Sequence, residues 1–284
     1  MPIHYETLMN LQIPEVRQTI SKRDAALYAL SCGLGADPMD EAQLDYVDFD
    51  RTMKILPSMP VILGYPTGFI ADPRTGIDHV KVVHGEQMVA LFAPLLPGQE
   101  VIGRNRIASL IDKGEGRGAL MVMEREITDA KTGVHLATTT ATIFLRGDGG
   151  FGGPATGTTP ILPKTPDGPP DITIDLPTRP EQALYYRFNG DDNPLHAAPK
   201  FAARAGFPRP ILHGLCTFGV TTHALLKAIS NYNPTHLTKL GCRFSAPVFP
   251  GETIRTEIWH TGHFRARAVE RDIVVVGNGV FEVK

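Results

Sequence analysis

The chain has 284 residues, 42% of them hydrophobic and 20% charged, which is typical of a globular protein with one large domain or two small ones. A net charge of −2 provides no basic surface for nucleic acid, and no apolar run reaches the roughly 18 residues that span a membrane. Three scattered cysteines exclude a disulfide framework. Because the N-terminus also lacks a secretory signal pattern, we expect a cytoplasmic protein.

The first predicted element is a helix that opens with Ser21 and Asp24, a spacing at which a side-chain oxygen caps a helix start. A turn, "CGLGADPMD" from Cys32, follows this helix and contains no histidine. Further along, His84-Gly85 precedes an apolar stretch, and we expect it to open a second, structural helix.

A short pattern occurs twice. "APLLPGQ" begins at Ala93 and "APVFPGE" begins at Ala246, an offset of 153 residues. Each copy follows an apolar stretch containing His-Gly and precedes strand-like segments, such as Leu120–Thr128 in the first half and "DIVVVGNGVFEV" in the second. The shared order predicts a duplicated α+β unit in which each half wraps an antiparallel sheet around one apolar helix, a double hot-dog fold.

Between the halves, residues 147–180 are rich in Gly and Pro, which predicts an irregular linker crossing the surface. Within it, "GDGGFG" matches the glycine pattern of dinucleotide-binding proteins. That pattern requires a helix immediately afterwards, and Pro154 with its Gly, Thr and Pro neighbours excludes one. We therefore interpret the segment as a linker without a nucleotide site.

The stretch "NGDDNPLHAAPKFAARAGF", from Asn189, carries the residues best suited to chemistry. Pro194 restricts the loop, and Pro199 opens a short helix that ends at Gly206. Asp191 and His196 can then face one small volume and act as an acid/base pair. The alternative is a plain surface turn with a solvated histidine.

A helix that is apolar on nearly all sides follows His213 and should therefore be buried. Free N–H groups at its start suit a developing negative charge, which makes Gly214 a candidate oxyanion donor. Alternatively, Gly214 only allows the chain to turn into the helix. Cys216 is interpreted as packing, and the spacing of His213 and His223 predicts no metal site.

The stretch Tyr186–Gly219 resembles the signature of the hydratase 2 family, the MaoC-like (R)-specific enoyl-CoA hydratases. The match covers Gly190, Asp191, Asn193, Pro194, Leu195 and His196, and similarity extends over "HGEQMVALFAPL", "IFLRGDGGFGG" and "FSAPVFPGE". Asn189 and Asp192 depart from the residues usual at their positions. The resemblance implies three segments: a degenerate N-terminal hot-dog that holds the acyl tail (residues 1–146), the linker (147–180) and a catalytic hot-dog (181–284).

The resemblance also implies a function, reversible hydration of a trans-2-enoyl-CoA by a homodimer with no cofactor beyond the coenzyme A of the substrate. Asp191 and His196 would then share one water, with Asn193 orienting the loop or the water and Gly214 stabilising the enolate. Residues suited to bind the substrate, chiefly coenzyme A phosphates, are Lys200, Arg204, Arg209 and His213. An acyl-CoA thioesterase and a non-catalytic acyl-CoA-binding subunit are the alternatives.

Overall fold

A computed structural model describes residues 3–284. Within this range the longer helices lie near the start of the chain and in its second half: α1 (Tyr5–Met9), α2 (Lys22–Ser31), α3 (Glu41–Leu44), α4 (Gln182–Tyr186), α5 (Pro199–Arg204) and α6 (Gly214–Leu225). Short 3₁₀ turns connect many of the elements, and α6 continues into a π-helical turn, Leu226–Ser230.

Ten strands form one antiparallel sheet: β1 (Val16–Thr19), β2 (Val82–Leu91), β3 (Glu100–Asp112), β4 (Ala119–Asp129), β5 (His135–Leu145), β6 (Ile172–Pro177), β7 (Leu237–Phe244), β8 (Thr253–Trp259), β9 (His263–Ala268) and β10 (Ile273–Val283). Their spatial order is β1-β3-β4-β5-β2-β7-β10-β9-β8-β6. The first five strands repeat in mirror order as the last five, which confirms the predicted duplication and the α+β double hot-dog fold.

The sequence repeat coincides with the same structural step in both halves. The strand before it ends at Leu91 in one half and Phe244 in the other, and the strand after it begins at Glu100 and Thr253. Each pair of positions is 153 residues apart, the offset of the repeated sequence pattern. The Pro-Gly turn thus joins equivalent strands in the two halves.

The halves meet where β2 pairs with β7. Glu86 lies opposite Arg243 in this pairing. Its carboxylate is almost fully buried and accepts hydrogen bonds from Arg243 Nε (2.9 Å) and Nη2 (2.6 Å) and from Thr142 Oγ1 (2.9 Å). Because a buried carboxylate is stable only when paired and hydrogen-bonded, this register is strongly specified. The two hot-dogs therefore share one continuous sheet.

The prediction of a helix after His84-Gly85 is wrong. Both residues belong to β2, and Gly85 lies where the pairing with β5 shifts register. The sequence of β2, VVHGEQMVAL, does not alternate regularly between apolar and polar residues, so its periodicity does not show whether it is a strand or a helix. The N-terminal half consequently has no counterpart of α6 within residues 3–284.

Irregular chain takes the place of that missing helix. Between α3 and β2 the chain forms only 3₁₀ turns, Met59–Val61, Phe69–Ala71, Pro73–Thr75 and His79–Lys81. Four prolines and three glycines in residues 57–76 explain this, because proline lacks the helical N–H and glycine disfavours the helical state. The inner face of the N-terminal sheet is thus covered by loop rather than helix.

The predicted linker contains one regular element. Residues 172–177 form β6, which pairs with β8 at the edge of the sheet. The preceding residues lie against the sheet: Asp112 Oδ1 accepts from Gly150 N at 2.7 Å, and Asn278 N donates to Thr165 Oγ1 at 3.2 Å. The boundaries proposed for the three segments stay a prediction, with β6 assigned by its pairing to the second hot-dog.

Within residues 3–284, none of the helices combines the length and apolar character needed to cross a membrane.

Candidate active site

The loop from Gly190 to His196 is fixed by local backbone contacts. Gly190 has a φ of 100°, a conformation that favours glycine, and ends the turn that follows α4. Asp191 Oδ1 accepts from Asn193 N at 3.2 Å, and Asn193 Oδ1 accepts from Leu195 N at 3.0 Å. Asn193 thereby caps the short turn Pro194–His196 and holds the loop in shape, one of the two roles that the sequence predicted for it.

The structure brings the predicted acid and base together. Side-chain ligand atoms of Asp191, His196 and His213 all lie within 4.8 Å of one another. Asp191 is half-buried, whereas both imidazoles are buried. The five-residue spacing across Pro194 thus produces the expected convergence, and His213 joins it from the start of α6.

His196 is held in one neutral form. Its Nδ1 lies 2.8 Å from the carbonyl oxygen of Ile211, and because a carbonyl only accepts, Nδ1 carries the proton. Nε2 is then a free acceptor. Burial lowers the pKa of His196, Arg187 contributes in the same direction, and the contacts with Ile211 and Asp191 oppose the shift. Burial is therefore the main reason that His196 stays neutral.

His213 contacts both members of the pair and supports their positions. Its ring stacks on His196, with centroids 3.6 Å apart and planes inclined by 26°. Its Nε2 donates to the backbone carbonyl of Asp191 at 3.2 Å, while Nδ1 is buried without a partner in the described structure. Burial lowers the pKa of His213 to about 2. Direct contact of His213 with substrate stays a prediction, since what the structure shows is a positioning contact.

Helix α6 begins beside the pair with its N–H groups uncapped. His213 occupies the cap position but provides no side-chain hydrogen bond to the first turn. Gly214 is half-buried, and the following residues from Cys216 to Leu225 are all buried, as the sequence predicted. A helix start with free donors in a partly open position can receive a negatively charged oxygen.

The cationic side chains that the sequence predicted to bind coenzyme A phosphates are exposed. Lys200 and Arg204 are exposed on α5, where the Arg204 guanidinium lies 5.2 Å from the centroid of the Phe201 ring. Arg209 borders an open cavity of about 540 Å³ together with Phe249 and Arg271. Both arginines lie 4.9 Å from the centroid of the Phe249 ring.

Sequence reasoning missed several residues at this site. The Tyr186 ring packs against His213 at 4.8 Å, and Arg187 Nη2 donates to the Asp192 carbonyl at 3.0 Å. Both precede Asp191 in the same stretch, so proximity in sequence was an available signal. Burial raises the pKa of the Tyr65 phenol in the N-terminal half, and the charge of Asp191 adds to this shift. The Arg125 guanidinium lies 5.0 Å from the centroid of the Tyr65 ring, and nothing local in the sequence indicated either residue.

Buried neutral histidines make stability depend on pH. Burial lowers the pKa of His84 to about 4, of His213 to about 2 and of His223 to about 4. The unfolded chain protonates these groups near pH 6.5 whereas the folded chain does not, so stability is full above pH 6.5 and falls as the pH drops toward 4. Each group contributes about 1.4 kcal/mol per pH unit in that window.

We therefore expect the urea midpoint to fall clearly between pH 7 and pH 5, above the range in which most carboxylates titrate. A His223→Gln variant should show a smaller slope, and the exposed His260→Gln serves as the matched control. An unchanged midpoint across this range would contradict the buried neutral state.

The fold defines the class of protein: it is a double hot-dog, and solved structures share this fold. A Mycobacterium tuberculosis protein described as having a double hotdog fold superimposes with a TM-score of 0.55 at 14% identity, covering 95% of this chain and 94% of its own, which supports the fold alone. The MaoC-like dehydratase from Phytophthora capsici superimposes with a TM-score of 0.85 at 31% identity, covering 99% of both chains.

Sequence comparison identifies the family within this fold class. Residues 19–147 match the MFE-2 hydratase 2 N-terminal domain, and residues 162–283 match the MaoC like domain. Two M. tuberculosis proteins are similar: 3-hydroxyacyl-thioester dehydratase Y is 42% identical over 86% of this chain and 83% of its own length, and enoyl-CoA hydratase ChsH3 is 36% identical over 99% and 98%. The chain therefore belongs to the hydratase 2 family of MaoC-like proteins.

Proposed function

We propose that the protein is a lyase that reversibly hydrates trans-2-enoyl-CoA to (R)-3-hydroxyacyl-CoA. The observation that carries the proposal is the cluster of Asp191 and His196 side chains, within 4.8 Å of one another, beside the uncapped start of α6. Family membership supports the reaction class, because relatives bear the names of enoyl-CoA hydratases and a 3-hydroxyacyl-thioester dehydratase.

In the proposed mechanism the pair orients one water. The Asp191 carboxylate and His196 Nε2 are both acceptors, so a water between them can donate one hydrogen to each. One acceptor removes a proton as the water oxygen bonds to C3 of the enoyl group. The C2–C3 π electrons move toward the thioester carbonyl, and a proton from the pair is delivered to C2. The sum is the addition of one water molecule.

The negative charge that develops on the thioester oxygen needs donors. We assign this role to the backbone N–H of Gly214 and to the start of α6. The absence of a side chain at Gly214 allows the thioester to approach closely. Asn193 keeps Asp191 in place by capping the turn that leads to His196. The chemistry therefore requires no metal or organic cofactor besides the coenzyme A of the substrate.

A direct assay tests the proposal. Pure protein mixed with crotonyl-CoA or trans-2-decenoyl-CoA should reduce the enoyl absorbance, and only an (R)-specific 3-hydroxyacyl-CoA dehydrogenase should oxidise the product. A thioesterase would instead release free thiol from saturated acyl-CoA. Ligand binding without turnover of any enoyl-CoA would favour a non-catalytic subunit. Either result would overturn the hydratase proposal.

We further propose that Arg209, with Lys200 and Arg204 nearby in sequence, binds the phosphates of coenzyme A. Arg209 has an exposed guanidinium beside an open cavity, whereas the neighbouring Arg271 is occupied by an ion pair with Glu252. Two hydrogen bonds connect the wall of this cavity to His196: Val248, the residue before Phe249, accepts from Leu212 N, and the carbonyl of Ile211 accepts from His196 Nδ1, so the two places are a few residues apart. The long pantetheine arm is suited to bridge such a separation.

Replacing Arg209 by alanine should raise KM for crotonyl-CoA about 10-fold with kcat nearly unchanged, because a charge-assisted phosphate contact contributes equally before and during the reaction. With crotonyl-pantetheine, which lacks the nucleotide, the variant and the wild type should behave alike. Lys131→Ala, an exposed cation in the β4–β5 turn, is the control. An equal KM increase with both substrates would contradict the assignment.

We propose a homodimer that takes part in fatty acid metabolism in the cytoplasm. The family resemblance supports dimerisation and acyl-CoA chemistry, and three free, buried cysteines are compatible with a reducing compartment. Size-exclusion chromatography with light scattering tests the dimer.

A further inference from the structure

The aromatic ring of Phe244 lies against the start of α6. Three of its carbons are 3.5 Å from the point where a Cβ on Gly214 would stand. Phe244 is the last residue of β7 and shares one face of that strand with Leu240 and Cys242, which belong to the buried core around α6. Both Phe244 and Gly214 are half-buried. The ring therefore borders the partly open space at the proposed oxyanion donor.

A histidine of the N-terminal half holds this ring. His84, on β2, contacts Phe244 edge-on: their ring centroids are 5.2 Å apart and their planes are inclined by 87°. Such T-shaped pairs are a favoured aromatic geometry. His84 Nε2 lies 3.1 Å from the carbonyl oxygen of Glu86, and because a carbonyl only accepts, Nε2 donates. The imidazole is thus fixed by its own strand, and it fixes the orientation of the Phe244 ring.

A bulge in β2 places His84 beside Phe244. The register of β2 against β5 shifts between His84 and Glu86, so Gly85 is an extra residue in that pairing. Bulges of this kind re-aim a side chain and are common next to active sites. On its other side, the pairing of β2 with β7 ends at Glu86 and Arg243. The two rings therefore meet just past the point where the two halves stop pairing.

An apolar wall beside the oxyanion donor has a chemical consequence. The N–H groups at the start of α6 stabilise a negatively charged oxygen more strongly where water is excluded, because the local dielectric constant is then lower. Water that reached these N–H groups would also compete for the same hydrogen bonds. The side chain of Phe244 has no hydrogen-bonding group and occupies one side of the space next to Gly214. It therefore keeps water away from the donor on that side.

We propose that Phe244 is a positioning residue for the hydration reaction: it forms the apolar wall that shields the oxyanion donor at Gly214, and His84 of the N-terminal half holds it in place. The inference rests on the proposed hydratase function. It gives the first hot-dog a part in stabilising the transition state, through the contact of two rings across the junction of the halves.

The first test is a comparison of kcat with KM. Phe244→Ala should lower kcat for crotonyl-CoA about 10-fold with KM nearly unchanged, because the oxyanion forms only in the transition state and one donor is worth 10²- to 10³-fold in total. Phe244→Leu keeps an apolar wall and should keep most of the activity. Phe92→Ala is the matched control and should keep wild-type kcat, since Phe92 also packs on a histidine (His135, centroids 4.3 Å apart) but lies just past the other end of β2.

A double variant shows whether Phe244 acts through Gly214. In Gly214→Ala the methyl group already keeps the thioester oxygen from the donor, so adding Phe244→Ala should cause little further loss. A ring that only supports the fold would lower activity by the same factor in both backgrounds. Losses that multiply in this way would contradict the proposal.

His84 has its own readout. His84→Ala removes the edge-on contact and should lower kcat by a smaller factor than Phe244→Ala, again with KM nearly unchanged. This loss should disappear when Phe244 is already alanine, because the imidazole then has no ring to hold. Thermal unfolding of each variant identifies loss of fold. If Phe244→Ala does not fold, Phe244→Val, which suits a strand, provides the same comparison with a smaller expected loss.

The outcomes separate the two proposals. If the wild type does not hydrate crotonyl-CoA, the proposed function fails. If the wild type hydrates it and folded Phe244→Ala keeps the wild-type kcat, the hydratase proposal stands and the assignment of Phe244 is overturned.

Discussion

Replacing Asp191 by asparagine should reduce kcat/KM for hydration of crotonyl-CoA by about a thousandfold or more. The amide keeps an oxygen that can accept from Asn193 N, so the loop is retained, but it can neither take a proton from water nor return one. General acid–base groups typically contribute 10²- to 10⁴-fold, and in the proposed mechanism both proton transfers depend on the pair.

His196→Asn is the companion variant. The asparagine Nδ2 lies near the position of the imidazole Nδ1 and can still donate to the Ile211 carbonyl, while the proton-accepting Nε2 is lost. We expect a loss of similar size. The double variant should be little worse than either single variant, because groups that act as one unit are not additive.

The measurement is initial-rate kinetics from the enoyl absorbance, with urea denaturation to confirm that each variant is folded. If each single variant retained more than a tenth of wild-type activity, the pair would not be the catalytic centre. Asp191→Asn should also unfold at nearly the same temperature as the wild type, because a half-buried loop carboxylate should contribute little to the stability of the fold.

Gly214→Ala should lower kcat/KM about 100-fold while the protein stays as stable as the wild type. A methyl group at this position has ordinary van der Waals space, its nearest neighbours being atoms of the Phe244 ring at 3.5 Å. The fold therefore tolerates alanine. The substrate does not, because the methyl group keeps the thioester oxygen away from the N–H groups at the start of α6, and one such donor is worth about 10²- to 10³-fold.

A second glycine of the same helix separates the two effects. A side chain at Gly219 would collide with Cys32 Sγ in the packed contact between α6 and the end of α2. Gly219→Ala should therefore lower the unfolding midpoint, and its activity should fall only as far as folded protein is lost. Normal activity in Gly214→Ala would contradict the proposed oxyanion role.

Elements with strong local signals could be predicted from the sequence. β4 and β5 are rich in residues that favour strands, such as Ile127 and Thr138, and the starts of α2 and α5 follow from Ser21 and Pro199. The Asp191/His196 convergence was also predictable, because prolines restrict the loop that joins them. These features depend on interactions within a few residues.

The remaining features depend on contacts that sequence spacing does not encode. His84-Gly85 was interpreted as a helix start because the sequence of β2 lacks the regular alternation of a strand, and its pairing with β5 and β7 is visible only in the fold. The six-residue β6 was hidden by the surrounding prolines. Arg125 and Tyr65 lie 60 residues apart, and only the folded chain shows that one supports the ring of the other.

Because β2 pairs with β7, the sheet of each hot-dog is incomplete without the other. If the chain were cleaved within residues 147–180 and the halves were separated, each fragment would expose one strand, β2 or β7, whose backbone donors and acceptors had lost their partners. Each fragment would also keep only one member of the Glu86–Arg243 ion pair. Such an edge attracts another copy of itself. Gene duplication with fusion would thus have replaced the self-association of a smaller ancestor by a covalent pairing.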